Sequence, residues 1–377
     1  MPRLDDVCAI TMGQSPDSST YNKERNGLPF FQGNADFGEI HPSVRMWCSE
    51  PSKIARENDI LISVRAPIGA LNIANCECCI GRGLAALTVN NDICTREYLW
   101  YALSSKIDEL NSKGTGSTFK AVNKSTLSET EIPLPPLDEQ RHIATTLDKV
   151  TDLISKRRQQ LDKLDELVKA RFVEMFGDPG GNPAKWKMER AEKHIDLLSG
   201  FPFDSTQYTQ SGVNICGGLI IMPQRINWND CKHWGSIVGY EEYSLQENDI
   251  VIALDRPWIS DGFKIAMVDK EHLPALLIQR TARIRAVDVN QRYLMYCFML
   301  GSFDAHCNIT GSLVPHISPK DIKSFLIMIP PIELQNQFAT FVEESEKTQT
   351  AISRSLEKLE TLKKALMQEY FGDSKNG

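Results

Sequence analysis

No apolar run in this sequence approaches the ~18 residues that a membrane span requires. The opening stretch, "MPRLDDVCAITMG", has no apolar region of secretory type, so a cytoplasmic location is expected. A basic excess is missing too. The 377 residues carry a net charge of −7, with 13 Lys/Arg against 16 Asp/Glu over 1–134 and 14 against 16 over 186–329. So even a balance lacks the electrostatic footprint of a free-standing nucleic-acid binder. Metal-ligand spacing is also lacking. Three of the ten cysteines cluster in "CECC" (Cys76, Cys78, Cys79), but no second pair follows at zinc-site spacing. Reduced thiols packed as small apolar residues are the expectation, with no metal or other cofactor on this chain. No GxxxxGK[ST] phosphate loop occurs. The Pro-Pro pairs fall in "LPPL" and "IPPI" rather than in an Asn-Pro-Pro-aromatic motif of adenine methylation. "ESEK" (344–347) faintly resembles a nuclease Glu-x-Lys, but a solvated helix face explains it better. An enzyme acting alone is therefore not expected.

What the chain does contain is itself, twice. Slid by 195 positions, residues 98–178 fall on 293–373 without a gap. "YLWYAL" meets "YLMYCF", Gly116–Ser117 meets Gly311–Ser312, and "PPLDEQRHIA" (135–144) meets "PPIELQNQFA" (330–339). Over 135–178 there are 15 identities in 44 positions, and both copies close on "FGD". Upstream the offset drifts, as loop insertions cause. "ENDI" recurs at 57–60 and 247–250, Gly33 and Gly218 end similar short runs, and Arg65 and Arg256 each precede a proline. Repetition on this scale is settled before any motif is weighed.

Each copy has two parts. In the front parts, 1–134 and 186–329, short apolar runs such as "DILISV", "ALNIA", "GLAALTV", "IVIAL" and "FKIAMV" predict strands, and "REYLWYALSSKIDELN" predicts a helix. The back parts, 135–178 and 330–373, differ in kind, with 179–185 as a linker. Residues 138–176 hold no Gly or Pro, and helix formers dominate. A +4,+3 ladder from 143 to 175 is filled by Ile143, Leu147, Val150, Ile154, Leu161, Leu164, Val168 and Met175, and broken by Arg157 and Arg171. In the second copy Phe338, Val342, Ile352, Leu356, Leu359, Leu366 and Tyr370 fill it, while Ser345, Gln349 and Lys363 interrupt. A 3.5-residue repeat over five heptads predicts a coiled-coil seam. Prolines 133, 135 and 136 stop the incoming chain, and Gly177 or Gly372 can supply a left-handed cap. The predicted fold is α+β: two α/β heads joined by two long antiparallel coiled-coil helices, an internal twofold repeat.

The order head, "PLPPLDEQRHIA", long helix, "FGDPGGNPAKW", second head, "IPPIELQNQFA", second helix resembles the DNA-specificity subunit of type I restriction–modification systems across essentially the whole chain. Leu334, where the first join has Glu139, is a small departure. The resemblance implies two target-recognition domains, each reading one half of a bipartite site in double-stranded DNA. It further implies helices that set the spacer and dock two methylation subunits, with restriction–translocase subunits joining the complex. S-adenosylmethionine, ATP and Mg would then sit on partners. A two-headed coiled-coil scaffold that binds no DNA is the alternative that repetition alone would allow.

Candidate base or phosphate contacts lie in polar loops. In the first head these are Gln14, Ser15 and Ser18 in "GQSPDSST", Arg65, and Ser117, Thr118, Lys120 and Lys124 in "GSTFKAVNK". In the second they are Asp204, Ser205, Gln207, Arg256, Ser312, His316, Ser318 and Lys320. Arg pairs with guanine, and Gln or Asn with adenine, through two hydrogen bonds each. An ordinary solvated loop side chain is the competing reading for every one.

Overall fold

The computed structural model describes residues 1–114, 120–307 and 315–372. Two compact units emerge: Met1–Arg158 with the C-terminal stretch from Arg354, and Gln159–Ser353. The division cuts both long helices rather than following the head–helix joins.

In unit 1 the strands β1 (Cys8–Met12), β2 (Ile60–Ser63), β3 (Leu71–Ile73) and β4 (Leu84–Val89) form an antiparallel sheet of order β1-β4-β2-β3. In unit 2, β5 (Ile195–Ser199), β6 (Ile250–Ala253), β7 (Ile265–Met267) and β8 (Thr281–Ala286) repeat it as β5-β8-β6-β7. The "ILIS" and "IVIA" strands are buried at every position, which is why they read as continuous apolar runs rather than alternating ones. A second sheet in each unit carries a parallel pair: Leu28–Phe31 with Cys78–Ile80, and Val213–Cys216 with Ala275–Leu277. Cys78 and Cys79 are thus fully buried strand residues, and burial pushes the Cys78 thiol up to about 12. Among the described residues no His/Cys/Asp/Glu group could hold a metal ion.

Against each four-stranded sheet lies a helix, α1 (Arg96–Ser105) or its repeat α3 (Gln291–Leu300). The predicted helix over 96–111 is broken at Lys106, and Ile107–Lys113 follows as a separate helix. The bend lets Leu110 enter the core that holds Tyr98, Leu99 and Leu103. The two long helices, α2 (Leu137–Phe176) and α4 (Ile332–Phe371), have 40 residues each, or about 60 Å at 1.5 Å per residue.

The doubled join is a doubled hydrogen-bond set. Gln140 is wholly buried. Its Oε1 accepts from the backbone N–H of Thr95 at 2.9 Å, and its Nε2 donates to the carbonyls of Ile93 and Pro135 at 2.9 and 2.8 Å. Thr95 is the N-cap of α1. Gln335 repeats this: Oε1 accepts from Asn290, the N-cap of α3, at 2.8 Å, and Nε2 donates to the Pro330 carbonyl at 2.8 Å. Tyr98 and Tyr293 donate to the carbonyls of Pro133 and Met328 at 2.8 and 2.9 Å. The prolines lack N–H groups, so around each join these side-chain hydrogen bonds supply donors that the proline backbone does not.

Within each unit the start of one long helix meets the end of the other. Arg158 pairs with Glu360 at 2.7 Å in unit 1. In unit 2, Gln349 donates to Asp165 at 2.6 Å, and Phe172 stacks edge-on against Phe338 at 5.3 Å. As one residue number rises the other falls, so the pairing is antiparallel. The ladder residues Ile143, Leu147, Val150, Ile154 and Val168 are buried, and the interrupting Arg157, Arg171 and Lys363 are only half-exposed. Arg171 lies over the Phe341 ring at 5.9 Å. Near the helix ends the stripe departs from the ladder. Phe172 and Phe176 are fully buried while Met175 is not, because there α2 packs on the head, where a straight-helix period of 3.6 suits a globular surface better than 3.5.

Phe176 seats against Tyr293 at 4.7 Å, and Phe371 against Tyr98 at 5.4 Å. Full burial of each such ring is worth about 1.5–3 kcal/mol. Gly177 takes the expected left-handed cap, φ 84°, but Gly372 is absent from the left-handed residues and simply donates to the Gln368 carbonyl at 2.9 Å. Gln140→Ala removes the partner of the Thr95 N–H and of the Ile93 and Pro135 carbonyls in a partly buried setting. It is expected to destabilise the protein by roughly 2–4 kcal/mol, with Gln335→Ala slightly milder, measured as paired denaturant midpoints.

Candidate nucleic-acid interface

Both candidate loops are held by one device. After β1, Gly13 N–H donates to Leu84 O at 2.9 Å and Gln14 N–H to Ile80 O at 3.0 Å. After β5, Gly200 N–H donates to Thr281 O at 3.0 Å and Phe201 N–H to Leu277 O at 3.1 Å. A Cβ on Gly13 or Gly200 would collide with the carbonyl of Gly81 or Ile278. Four residues on, Asp17 accepts from Ser19 N–H and Asp204 from Thr206 N–H, both at 2.9 Å, capping single 3-10 turns. These bonds hold the Asp17 and Asp204 carboxyls below the usual aspartate value, the backbone contribution leading. Gln14, Ser18, Ser205 and Gln207 are exposed around these turns.

Ser15 and Arg65 come together. With Gln32, Gly33, Asn34, Ala66, Arg82 and Gly83 they line a recess of about 190 Å³. Gln14, Ser18, Lys120 and Lys124 lie outside it. Lys120 is exposed beside the recess wall, its carbonyl accepting from Ala66 N–H at 3.3 Å. Lys124 opens a short helix capped by Asn123. Gln32, Asn34 and Arg82 were not among the sequence candidates. A legible signal existed for Arg82: it stands in "GRG" immediately before β4, and a Cβ on Gly83 would strike the Gln32 carbonyl.

In the second head Arg256 and His316 come together, since Arg256 N–H donates to Pro315 O at 2.7 Å and Asp255 bridges His316. Ser318 has another job. It caps the helix Pro319–Ser324, its hydroxyl donating to Asp321 at 2.8 Å. Lys320 is exposed on that helix. Ser117, Thr118 and Ser312 lie outside the described residues. One assumed equivalence is corrected. Ile317 N–H bonds Leu254 O as Val122 N–H bonds Val64 O, and Asp255 bridges His316 as Arg65 bridges Ala121. Arg65 therefore corresponds to Asp255, and Arg256 to Ala66. The prolines are the true matches, and the arginines are one position out of register.

A duplicated head with a polar loop face, joined to a long helix by the same glutamine stitch in both copies, defines a two-module recognition protein. The family model for the type I restriction modification DNA specificity domain matches residues 1–165 and 227–363, and the chain belongs to that family. A protein of Methanocaldococcus jannaschii assigned as type I restriction enzyme MjaX specificity subunit is 44% identical over 160 residues, covering 42% of this chain and 38% of that relative. The type I restriction enzyme MjaVIII specificity subunit of the same organism is 25% identical over 332 residues, covering 83% and 78%. The crystal structure of a type I restriction-modification system S subunit from M. genitalium shares the fold, with a TM-score of 0.62, 15% identity, and 98% and 95% coverage.

Gly13→Ala is expected to release residues 13–20, raising their amide exchange while the β1–β4 sheet stays protected. Because the Asp17 and Asp204 carboxyls are depressed in the fold, their caps persist above the ordinary value of 3.8 and are lost as pH falls below it. Exchange at Ser19 and Thr206 should rise only in that acid range.

Proposed function

We propose that this chain is the DNA-recognition subunit of a type I restriction–modification complex, each head reading one half of a bipartite duplex site. The duplication carries this reading: two heads of one topology, each fastened rigidly to a long helix, suit a target made of two separated parts. The helices set the spacing of the half-sites, and grooves one turn apart lie ~34 Å from each other along B-DNA. Recognition is this chain's work, and the chemistry belongs to partners: two methylation subunits with S-adenosylmethionine, and restriction subunits with ATP and Mg.

Two further observations support docking. Leu153, Leu167 and Val173 on α2 and Leu362 on α4 are about half-exposed large apolar side chains on otherwise charged helices. The acidic balance of the chain also fits a protein whose phosphate contacts, the main source of non-specific affinity, are supplied largely by its partners.

The isolated chain is therefore expected to bind DNA weakly, with a sharp gain on adding the methylation subunit. Nanomolar sequence-specific binding by the chain alone in moderate salt contradicts this. Leu167→Asp, combined with reversal of the exposed Lys163, should abolish co-purification with the methylation subunit while leaving the thermal midpoint unchanged. Arg158 is a poorer probe, being paired with Glu360. Mapping methylated sites in cells with and without the gene tests the whole reading, since a bipartite motif must vanish with it.

A further inference from the structure

The two heads differ most where their backbones agree best. Val64 N–H donates to Gly83 O and Leu254 N–H to Arg280 O, both at 2.9 Å. Ser63 N–H donates to Ala70 O at 2.8 Å, and Ala253 N–H to Lys264 O at 3.1 Å. Phe31 pairs with Ile80 as Cys216 pairs with Leu277. These matches superpose Gly33 on Gly218, Arg65 on Asp255, Ala70 on Lys264, Arg82 on Gln279 and Gly83 on Arg280.

In the second head the site is internally satisfied. Lys264 is buried and its ammonium donates to the Gly218 carbonyl, while Arg280 pairs with Asp255 at 3.6 Å. In the first head, alanine replaces the lysine and the recess stays open. Arg65 and Arg82 both line it, no carboxylate does, and among the described residues neither guanidinium has a hydrogen bond or ion pair. Both guanidiniums are exposed at this one concavity, so their donors are free to meet acceptors that a ligand brings. A planar fork matches the O6/N7 edge of guanine with two hydrogen bonds. The side chains of Gln32 and Asn34 beside it carry amides suited to base edges. Lysines, the usual point-charge contacts for phosphate, stand outside at Lys120 and Lys124.

We infer that the Arg65–Arg82 recess reads a guanine in the half-site of the first head, and that the second head reads its half without this device. The inference rests on the DNA-recognition reading above. The test uses the complex of this chain with its methylation subunit, selecting bound duplexes from a library randomised in both half-sites. Wild type should return at least one strongly preferred guanine. Arg65→Ala or Arg82→Ala should cut that preference about 10- to 100-fold, leaving the other half-site unchanged. Arg82→Lys should not restore it, because an ammonium lacks the fork. Both positions are exposed, so thermal midpoints should not move. Even weakening of all sequences with an unaltered motif would mean phosphate contact and overturn the inference, as would a loss in both half-sites. A wild-type complex with no sequence preference would instead overturn the DNA-recognition reading itself.

Discussion

A buried amide joins each head to its long helix, and the rest of the architecture depends on it. At Gln140 and Gln335 one side chain supplies the hydrogen bonds that proline-rich backbone cannot, accepting from the cap residue of the head helix and donating to a carbonyl of the incoming chain. A buried polar group so fully used costs little when satisfied and much when broken. The direction in which each helix leaves its head is therefore fixed by hydrogen-bond geometry, which is specific, rather than by apolar contact alone, which is not. A hinge at this point would defeat any protein that reads two places at once.

The second constraint is reciprocal closure. Neither repeat buries its own aromatic helix end. Phe371 completes the core around Tyr98, and Phe176 the core around Tyr293. Each compact unit thus joins one head and the start of its own helix to the finish of the other. Polar pairs such as Arg158–Glu360 and Gln349–Asp165 contribute register more than stability, since exposed or half-exposed pairs are worth ~1 kcal/mol or less.

Much of this was legible in the residues. The repeat, the strands "ILIS" and "IVIA", and the existence of both long helices follow from period and punctuation, although the helices Leu137–Phe176 and Ile332–Phe371 are shorter at each end than the expected 135–178 and 330–373. What escaped was tertiary. Phe172 and Phe176 lie off the heptad ladder, so the 3.5-residue period does not mark them as core; the head surface that receives them does. The break at Lys106 sits inside a continuous helical pattern. In the candidate site, the loop glycines and Arg65 carry local signals, but Gln32 and Asn34 reach the recess from the loop and 3-10 turn that follow the strand Leu28–Phe31, distant in sequence. The Arg65–Asp255 equivalence was hidden because two neighbouring arginines invited a wrong register. The hydrogen bonds to Val64 and Leu254 and the bridges of Arg65 and Asp255 reveal it.

Reciprocal closure has a consequence for the order of events at the ribosome. The first head has its sheet and its glutamine stitch early, yet Phe371, the ring that covers Tyr98, is translated only after the whole of the second head. Gln159–Ser353 forms a continuous stretch and can be complete while unit 1 still lacks a wall. A nascent chain therefore carries an exposed apolar face around Tyr98 until Phe371 has been made, and that interval is when it most needs protection from self-association.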